Sequence, residues 1–553
     1  MFSDPVIGDH FFGRQEILDI LYKRAGALKS GYRQNVAIIG HQQLGKTSIL
    51  RHFLHTFKDL KVLSIYVEIK FQALDYFIDQ FARSLLYQYL SQREPVNSTA
   101  SLKELTQKAS NSVPRTVQAI EEISQLLRQR RSEEAYSKLF EITSIVGQET
   151  GKHCIVVLDE FHRLGEFGIK NAFSDFGKRI MVQKNTMYLL SSSSFSASKR
   201  ILAEKLALLF GNFERIYLEP FDFGTSFEFL KKKLFPAAMD DVVSEFIVGF
   251  TDGHPFFLET VTSRIRESAL SERETTISRA TVARVLLKLL FESQGVLNQF
   301  FLKLISPWMR ADSHGSHILI LTALARGVNK LKDLAEELNR GQKEVSAELQ
   351  QLMENELVIK VGVFYRFHNK IFKFWLKEVY ERKELSLLGS NAKAEDFIAS
   401  ITKAMEECET LMKLGAASRI MNLFSLFNNE MVEIGEKKRK LPHFTEFIKV
   451  PAGSSGDETV GALIARGHGR CWVCKIVEEK ASEKEILELI ENSPHNKNVS
   501  STKVLVALNG IEENARLLAK EKKVLTLGLS RINLLMDIYG CSPIIHSGSK
   551  KGS

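Results

Sequence analysis

The sequence predicts an α/β protein that begins with a mostly parallel β-sheet, continues through helical segments and ends in a second α/β domain. In its first part, short apolar runs alternate with amphipathic helical patterns, which is typical of a parallel sheet covered by helices on both faces. A glycine-containing loop joins the first of these runs to a helix. From about residue 400 to 540 the alternation of strand and helix patterns returns, which indicates the second domain.

The strand runs of the first part are NVAIIG, KVLSIYVEI, HCIVVLDE, TMYLLSSS and RIYLEP, at residues 35–40, 61–69, 153–160, 186–193 and 215–220. Residues 91–150 interrupt them with a loop-like segment, SQREPVNSTASLKE, and a helical stretch from Pro114 to Val146. We therefore predict an α/β core over residues 1–235 with a helical insertion at 91–150.

Four further segments are predicted after this core. They are a helical subdomain at 236–311, three short helices and a hairpin at 312–382, a polar linker at 383–399, and an α/β domain at 400–545. The hairpin is predicted from two β-rich pieces around Gly362. Three helices followed by a hairpin are the arrangement of a winged helix.

The composition is that of an ordinary folded protein. The chain has 553 residues and a mass of 62.7 kDa, with 44% hydrophobic and 25% charged residues. At roughly 150 residues per domain, this length predicts about three or four domains. Charged residues interrupt every apolar run before the roughly 18 residues that a membrane helix needs, so no membrane span or membrane partner is expected.

Three features bear on location and partners. The first residues lack the basic segment and apolar core of a secretory signal. Five cysteines in this length argue against a disulfide scaffold and for a reducing compartment, so a cytoplasmic location is expected. The net charge of +9 and the pI near 9.0 permit contact with nucleic acid without establishing it.

A phosphate-binding loop is the most specific motif. Eight residues fit G-x-x-x-x-G-K-[ST] between the strand NVAII and the helix SILRHFLHTF, a context that a chance glycine turn lacks. Loop N–H groups would wrap the phosphates, Lys46 would reach the β- and γ-phosphates, and the Thr47 hydroxyl would ligate Mg²⁺. The predicted nucleotide-binding residues are Gly40, His41, Gln42, Gln43, Leu44, Gly45, Lys46, Thr47 and Ser48.

Two carboxylates follow the apolar strand that ends at Leu158. They are Asp159 and Glu160. In a parallel sheet, the carboxyl ends of the strands lie over the same crevice as the phosphate loop. We therefore predict that Asp159 holds the Mg²⁺ shell and that Glu160 polarises the attacking water, with Lys46 assisting catalysis. A solvated acidic strand end would explain the carboxylates singly, but not together with the loop.

The chain resembles the AAA+-related ATPases of the archaeal and STAND type from about residue 8 to 380. HFFGRQEIL (10–18) resembles their F-x-G-R-x-x-E-L box, and YLLSSSS (188–194) resembles the sensor-1 strand. The segments LLFGNFERIYLEPF (208–221), TDGHP (251–255) and YRFHNKIFKFWL (365–376) resemble the following segment, the T-G-G-H-P motif and the closing segment of the winged helix.

This resemblance implies a nucleotide-driven switch that binds ATP or ADP with Mg²⁺ and hydrolyses ATP. It implies a polar sensor role for Ser192 or Ser193, and contributions to nucleotide sensing from His254 and Pro255. By pattern alone, the residues around Pro255 are only a helix-breaking turn.

Three arginines have open roles. Arg14 lies near the nucleotide or makes a salt bridge at a helix entry. Arg200 and Arg215 are candidates for an arginine that contacts the γ-phosphate, in the same chain or from a neighbouring copy. A contact from a neighbouring copy would require a multimer.

The predicted winged helix either reads DNA or transmits a conformational change. Its third helix, at about 342–355, carries one lysine, Lys343, against three glutamates. A helix that reads a DNA groove needs net positive charge, so the charge favours a lever over a DNA reader. Three cations on the final helix remain able to touch a DNA backbone: Lys370, Lys373 and Lys377.

The last domain resembles the restriction-endonuclease-like fold. The resemblance rests on the strands at 443–450, 458–466, 470–477 and 503–508 and on the residues Ala515, Ala519, Leu534 and Leu535. Enzymes of this fold need an Asp on one strand and D/E-x-K on the next, where the acids bind Mg²⁺.

The acids of that motif are missing. Lys475 occupies the lysine position, but Val473 and Gly461 stand where the acids are needed. Since Mg²⁺ needs oxygen ligands, we expect a degenerate, inactive nuclease fold that keeps a DNA-facing surface with Lys475, Arg466 and Arg470. The alternative is that the acids have moved, with substitutes among Asp457, Glu458 and Glu478.

Two other features of this domain have open interpretations. Cys471 and Cys474 form a C-x-x-C pair in a strand, where residues three apart point to opposite faces, so buried structural cysteines are expected rather than zinc ligands. The basic run from Glu436 to Lys440 is a solvated loop, which its composition favours, or a DNA contact.

Three functions are compatible with these observations. The favoured one is an ATP-hydrolysing switch whose winged helix and nuclease-like domain report the nucleotide state to a partner, which is DNA, another protein or a second copy. The second is an ATP-regulated DNA nuclease. The third is a scaffold that retains nucleotide without turning it over.

Overall fold

The chain divides into two units, Met1–Pro220 and Phe221–Ser553. The computed structural model describes residues 4–70, 73–206, 213–309, 316–385, 390–434, 437–451, 460–491 and 500–545. The boundary predicted at residue 235 lies inside the second unit. Among the helices of the described residues, none has the length and apolar character needed to cross a membrane.

The first unit contains a five-stranded, fully parallel sheet. Its strands are β1 (Asn35–Ile39), β2 (Val62–Glu68), β3 (His153–Asp159), β4 (Thr186–Ser192) and β5 (Phe213–Tyr217). They lie side by side in the order β2-β3-β4-β1-β5. All five predicted runs form strands, although the last begins at Phe213 rather than at Arg215, and residues 208–212 of the predicted segment lie outside the described residues.

Helices cover both faces of this sheet. They are α1 (Gln15–Lys29), α2 (Lys46–Thr56), α3 (Leu74–Ser91), α4 (Leu102–Ala109), α5 (Pro114–Arg128), α6 (Ser132–Leu139), α7 (Ile142–Thr150), α8 (Ala172–Val182) and α9 (Phe195–Arg200). Along β1, Val36 and Ile38 pack in one core with α1 and α2, while Ala37 and Ile39 pack in another with α3 and the inserted helices. This period of two places apolar side chains on both faces, as a buried parallel strand requires.

The insertion between β2 and β3 is helical, but it begins earlier than predicted. Helix α4 starts inside the segment that we interpreted as a loop. Its start is a capping box, because the Ser101 hydroxyl accepts a hydrogen bond from the Glu104 N–H and the Glu104 carboxylate accepts one from the Ser101 N–H, both at 3.3 Å. The S-x-x-E pattern at residues 101–104 therefore indicates the start of a helix, although the polar composition of the segment favoured a loop.

The second unit continues the chain order with two short strands and a series of helices. The strands are β6 (Ala238–Met239) and β7 (Thr276–Ile277). The helices are α10 (Phe223–Leu234), α11 (Asp241–Thr251), α12 (Pro255–Glu272), α13 (Arg279–Leu286), α14 (Val296–Met309), α15 (Ser316–Arg326), α16 (Leu331–Glu337) and α17 (Gln342–Glu354). A hairpin of β8 (Val358–Val361) and β9 (Phe364–Phe367) follows, then α18 (Lys370–Trp375) and α19 (Glu381–Leu385). Three helices and a hairpin thus occur in the predicted order.

The predicted linker is largely a helix. Helix α20 (Ser390–Lys413) begins inside the segment 383–399 that we predicted as a linker. Phe397, Ile401 and Met405 recur every four residues and are fully buried, and Phe397 contacts the Phe291 ring with centroids 5.5 Å apart. An apolar stripe at helical spacing therefore packs this segment against the preceding helices, which the polar composition of its first residues did not indicate.

The last domain contains a mixed five-stranded sheet. Helix α21 (Ala416–Ser425) precedes it, and its strands are β12 (Glu446–Pro451), β13 (Val460–Gly467), β14 (Arg470–Val477), β15 (Ser500–Ala507) and β16 (Leu525–Gly528). They lie in this order, antiparallel from β12 to β14 and parallel from β14 to β16. The remaining helices are α22 (Glu483–Glu491), α23 (Glu513–Glu521) and α24 (Leu529–Ile538). Cys471 and Cys474 lie in cores on opposite faces, as predicted, and burial raises the pKa of both thiols.

A two-stranded ribbon precedes this sheet and was not predicted. It pairs β10 (Met431–Ile434) with β11 (Lys437–Lys440) in antiparallel register. We interpreted the basic run 436–440 as a solvated loop or a DNA contact, and not as a strand. The strand forms because its partner β10 carries the buried residues Val432 and Ile434, which anchor the ribbon in the core.

Candidate functional site

The phosphate loop follows β1 and is shaped by close approaches of the backbone. A Cβ atom on Gly40 would lie 2.8 Å from the Leu218 carbonyl oxygen, so only glycine fits there. Gly45 precedes α2 with φ 92°, a left-handed conformation that glycine adopts without strain. The loop residues Gln42 and Gln43 are exposed, Leu44 is buried, and the His41 ring stacks near the Phe195 ring at a centroid distance of 5.7 Å.

Lys46 begins α2 and is almost completely buried, with 4% of its surface exposed. Its ammonium donates hydrogen bonds to the carbonyl oxygens of Gly40 and His41, both at 2.7 Å. The loop therefore curls around its own lysine. A phosphate group placed in the loop would meet this buried positive charge together with the N–H groups at the start of α2.

The segment before α1 packs against the helix of the phosphate loop. The Val6 N–H donates to the Ser48 hydroxyl at 3.1 Å, and the Phe11 ring stacks on the His52 ring with centroids 4.1 Å apart. Arg14 donates from its guanidinium to the Glu219 carbonyl oxygen at 2.7 Å. This contact fixes the segment beyond β5 to the start of α1.

Asp159 lies at the carboxyl end of β3 and is fully buried. Its Oδ2 atom accepts hydrogen bonds from the Thr47 hydroxyl at 2.7 Å and from the Tyr66 hydroxyl at 2.8 Å. Its Oδ1 atom accepts a hydrogen bond from the Ser191 hydroxyl. The structure thus brings together the two residues that we predicted as metal ligands, and it surrounds the carboxylate with three hydroxyl donors.

These residues fit a magnesium ion. Thr47 and Asp159 offer hydroxyl and carboxylate oxygens, the ligand type that Mg²⁺ prefers, and a nucleotide-bound Mg²⁺ takes one or two protein oxygens with phosphates and waters completing its shell. Among the described residues, no group of three or more His, Cys, Asp or Glu side chains is placed to hold a metal ion on its own. A metal here would therefore depend on the phosphates of a bound nucleotide.

Glu160 follows Asp159 in a left-handed conformation, with φ 61°. Its Oε2 atom accepts hydrogen bonds from the Ser193 N–H and from the Ser193 hydroxyl, both at 2.8 Å, and lies 3.3 Å from the His162 Nδ1 atom. The Ser192 hydroxyl instead lies 2.8 Å from the same His162 atom. Of the two candidate sensor residues, Ser193 is therefore the one that contacts Glu160.

Three side chains at this edge were missed by sequence reasoning. Tyr66 and Ser191 contact Asp159, and His162 lies between Glu160 and Ser192. Ser191 had a weak signal, since it belongs to the serine run that ends β4. Tyr66 had none, because its position beside β3 follows from the pairing of β2 with β3, in which Tyr66 is the partner of Val157.

Tyr66 contributes a hydrogen bond that can be tested. Burial, with the negative charge of Asp159 beside it, raises the pKa of Tyr66, so its phenol keeps its proton and donates. Tyr66→Phe is expected to lower the free energy of unfolding by about 1.5–3 kcal/mol, the usual range for a hydrogen bond to a charged group. Urea unfolding measures this. The matched control Tyr22→Phe removes an exposed hydroxyl that contacts Thr56, and an equal loss in both variants would contradict the prediction.

The remaining predicted residues lie elsewhere. Arg200 ends α9 and Arg215 lies on β5, both exposed, and their placement does not choose between them. His254 and Pro255 belong to the second unit, where they begin α12. There Gly253 has φ 65°, and a Cβ atom on it would lie 2.1 Å from the Phe221 carbonyl oxygen, so this glycine is obligatory.

The nuclease-like residues do not form a carboxylate cluster in the described part of the last domain. The Lys475 ammonium donates to the Glu488 carboxylate of α22, and Val473 is buried beside other apolar residues. Arg466 pairs with Glu446 at 3.4 Å, and Arg470 is exposed. Glu478 is exposed after β14, while Asp457 and Glu458 lie outside the described residues. Because Lys475 is engaged by a helix on its own face of the sheet, its predicted role on a DNA-facing surface has no support in its contacts.

The fold and the site together define the class of the first unit. A parallel sheet in the order β2-β3-β4-β1-β5, with a glycine loop after β1 and two carboxylates after β3, is a P-loop fold of the AAA+ type. Residues 10–170 match the family model described as the AAA ATPase domain, which supports an ATPase function that uses ATP or ADP. The match covers less than a third of the 553 residues and does not include the second unit.

Comparison with other proteins adds little beyond this. No curated protein matches the chain. Among solved structures it is similar to the Walker-type ATPase PABY2304 of Pyrococcus abyssi, at 18% identity, a TM-score of 0.46, and coverage of 68% of this chain and 99% of that one. The Aeropyrum pernix ORC2 protein in its ADPNP–ADP complexes has 13% identity, a TM-score of 0.41, and coverage of 73% and 98%. The Thermotoga maritima RuvB Holliday junction branch migration motor has 15% identity, a TM-score of 0.34, and coverage of 68% of this chain and 100% of that one.

Proposed function

We propose that this protein is an ATP-hydrolysing switch of the AAA+ type whose second unit passes the nucleotide state to a partner, with DNA as the partner we favour. One observation carries the proposal. The Thr47 hydroxyl of the phosphate loop and the Asp159 carboxylate of β3 meet at 2.7 Å, with Glu160 next in the chain. A loop that binds phosphate and a carboxylate pair that serves hydrolysis are thus joined at one edge of the sheet.

Each residue has a distinct role in this proposal. The Lys46 ammonium leaves the carbonyl oxygens of the loop and binds the β- and γ-phosphates, whose negative charge it then balances. Thr47 and Asp159 would hold Mg²⁺, which neutralises charge on the phosphates when bound. Glu160 accepts the proton of a water that attacks the γ-phosphate, with ADP and inorganic phosphate as products.

Glu160 must leave its present partners to do this. Two hydrogen bonds from Ser193 hold one of its carboxylate oxygens in its present position. We therefore expect slow basal turnover, raised by any partner that releases this contact. Contacts with the nucleotide remain predictions for six other residues: Ser192, His254, Pro255, Arg14, Arg200 and Arg215.

The second unit is proposed to act through a winged helix and an inactive nuclease-like domain. Support for the first is the order of α15, α16, α17 and the β8–β9 hairpin. Support for the second is the mixed sheet β12–β16 with helices on both faces, and its inactivity follows from Val473 in the place of an acid. An ATP-regulated nuclease would need free carboxylates around Lys475, but Glu488 accepts the hydrogen bond of its ammonium and the nearby Glu485 accepts hydrogen bonds from the Ser482 N–H and hydroxyl.

An ion pair links the motif at residues 251–255 to the winged-helix segment. The Lys370 ammonium on α18 lies 2.5 Å from a carboxylate oxygen of Asp252. Asp252 replaces the first glycine of the family motif and has φ 50°, a left-handed conformation that aspartate tolerates. We propose that this pair transmits movements of the motif to the segment 316–380.

Lys370→Met tests this link. Loss of the ammonium removes the ion pair, so we expect the stimulation of ATP turnover by duplex DNA to fall at least about threefold while basal turnover stays within about twofold, since a partly exposed ion pair is typically worth up to 1 kcal/mol. The measurement is the ratio of turnover with and without DNA. Lys373→Met, on the same helix and without an ion pair to a described residue, is the matched control, and equal ratios in the two variants would count against the link.

The proposed function as a whole is tested by ATP turnover with Mg²⁺, measured with and without duplex DNA. Turnover that DNA raises is the expected result. If DNA leaves the turnover rate unchanged, the partner is a protein and not DNA. Retention of nucleotide with no turnover would overturn the switch and leave a nucleotide-stabilised scaffold.

A further inference from the structure

The β10–β11 ribbon carries the densest positive charge of the described residues. Strand β11 consists of four consecutive cations: Lys437, Lys438, Arg439 and Lys440. The three lysines are exposed, and Arg439 is half-buried. None of the four makes an ion pair with any residue that the structure describes, whereas Arg326, Arg340 and Lys370 of the same unit each pair with a carboxylate.

The ribbon is held in place and is not a solvated loop. Val432 and Ile434 of β10 are buried in one core with Val361 and Phe364 of the neighbouring hairpin. The Val363 N–H at the hairpin turn donates to the Met431 carbonyl oxygen at 3.0 Å. A Cβ atom on Gly362 would lie 2.0 Å from the same oxygen, so the turn is pressed against β10.

Polar contacts beneath the ribbon strengthen this attachment. The Glu430 carboxylate accepts hydrogen bonds from the Lys330 ammonium at 3.0 Å and from the Tyr539 hydroxyl at 2.9 Å. Burial would raise the pKa of Glu430, but these hydrogen bonds and those from the backbone outweigh it, so the pKa lies below its usual value. Glu430 therefore stays charged at neutral pH and ties the ribbon to α16 and α24.

The two elements through which a winged helix usually meets DNA are occupied here. In α17 the acidic side chains bind Arg340, whose guanidinium lies 2.5 Å from Glu348 and donates to Glu344 at 3.1 Å. The tip of the hairpin, which would be the wing, is covered by β10. The ribbon packed on the wing adds four consecutive cations beside these two elements.

We propose that the β10–β11 ribbon is the surface through which the second unit contacts the phosphate backbone of duplex DNA. The proposal rests on the proposed function only in taking DNA as the partner. Alternate residues of a strand point the same way and lie about 7 Å apart, so Lys438 and Lys440 present two charges in a line on the side away from the buried Val432 and Ile434. Such contacts bind phosphates without reading bases.

The surrounding surface favours DNA over an anionic membrane. Binding to a lipid surface needs apolar side chains beside the charges. Among the described residues on the outward face of the ribbon, the only large apolar side chain is Met431, which is 41% exposed, and Glu433 lies opposite Lys438. A charged ribbon with so little apolar surface suits a polyanion in water.

The experiment compares two double variants of the full chain. Lys438→Gln with Lys440→Gln removes the two outward charges of the ribbon, and Lys332→Gln with Lys343→Gln removes two exposed charges from α16 and α17 of the same unit. Binding of a fluorescent 20-base-pair duplex is followed by anisotropy at several salt concentrations. For the ribbon variant we expect at least about tenfold weaker binding, and a slope of log K against log salt that is smaller by about 1.8, since each lost phosphate contact removes about 0.9. The control variant should bind within about twofold of the native protein.

The outcomes separate this proposal from the proposed function. Equal DNA binding by the two variants would overturn the ribbon as the contact surface, whatever the ATP turnover. If the native protein does not bind the duplex but binds phosphatidylserine vesicles through these lysines, DNA is not the ligand of the ribbon. Loss of DNA binding in the ribbon variant, in a protein that shows no ATP turnover at all, would support the ribbon and refute the switch.

Discussion

Glu160→Gln is expected to lower ATP turnover about 100- to 10,000-fold while nucleotide binding stays within about threefold of the native value. The loss corresponds to removal of a general base, which contributes rate factors of this size. Glutamine has the shape of glutamate and keeps an oxygen that accepts the hydrogen bonds from the Ser193 N–H and hydroxyl, now at 2.8 Å. The local structure should therefore survive, and only the proton acceptor is lost.

Two measurements check this expectation. Release of inorganic phosphate reports turnover, and the fluorescence of a labelled ATP analogue reports binding. Glu166→Gln is the matched control, because Glu166 ends the short helix that begins directly after Glu160 and is exposed. If Glu160→Gln keeps turnover within about threefold of the native rate, Glu160 is not the proton acceptor and another group, such as His162, must be considered.

Lys46→Ala is expected to weaken nucleotide binding by about 100-fold or more. The buried ammonium is the only positive side chain within the loop, and hydrogen bonds between ionised groups and phosphate are the strong ones. In the structure this ammonium is satisfied by the Gly40 and His41 carbonyl oxygens at 2.7 Å. Its removal therefore takes away the attraction for phosphate and also leaves two loop carbonyls without a donor.

Thermal unfolding with and without nucleotide gives the readout. A ligand at 100 times its Kd stabilises the folded state by about 2.7 kcal/mol, and at the same ATP concentration this stabilisation should fall to about 0.4 kcal/mol or less in Lys46→Ala. The exposed Lys58→Ala, two residues beyond the end of α2, should retain it. Full stabilisation of Lys46→Ala by ATP would show that the loop does not bind phosphate through this lysine.

The elements that the sequence predicted well are those defined by neighbours in the chain. The five apolar runs became β1–β5 because each is long enough to be buried on both faces, and the phosphate loop was readable because its glycines, lysine and threonine are consecutive. The errors occurred where local composition misled. The polar start of α20 looked like a linker, and the basic strand β11 looked like a loop.

The distinction has one physical reason. Local periodicity and turn chemistry depend on residues a few positions apart, so the sequence by itself determined the strands, the loop with Lys46 and Thr47, and the carboxylate pair Asp159–Glu160. Contacts across the sheet depend on strand order and register, which bring together residues far apart in the chain. Only the tertiary structure therefore decided that Tyr66 and Ser191 donate to Asp159. Only the tertiary structure showed that Lys475 donates to the Glu488 carboxylate. It also showed that β10 anchors the ribbon in the core while the lysines of β11 stay exposed.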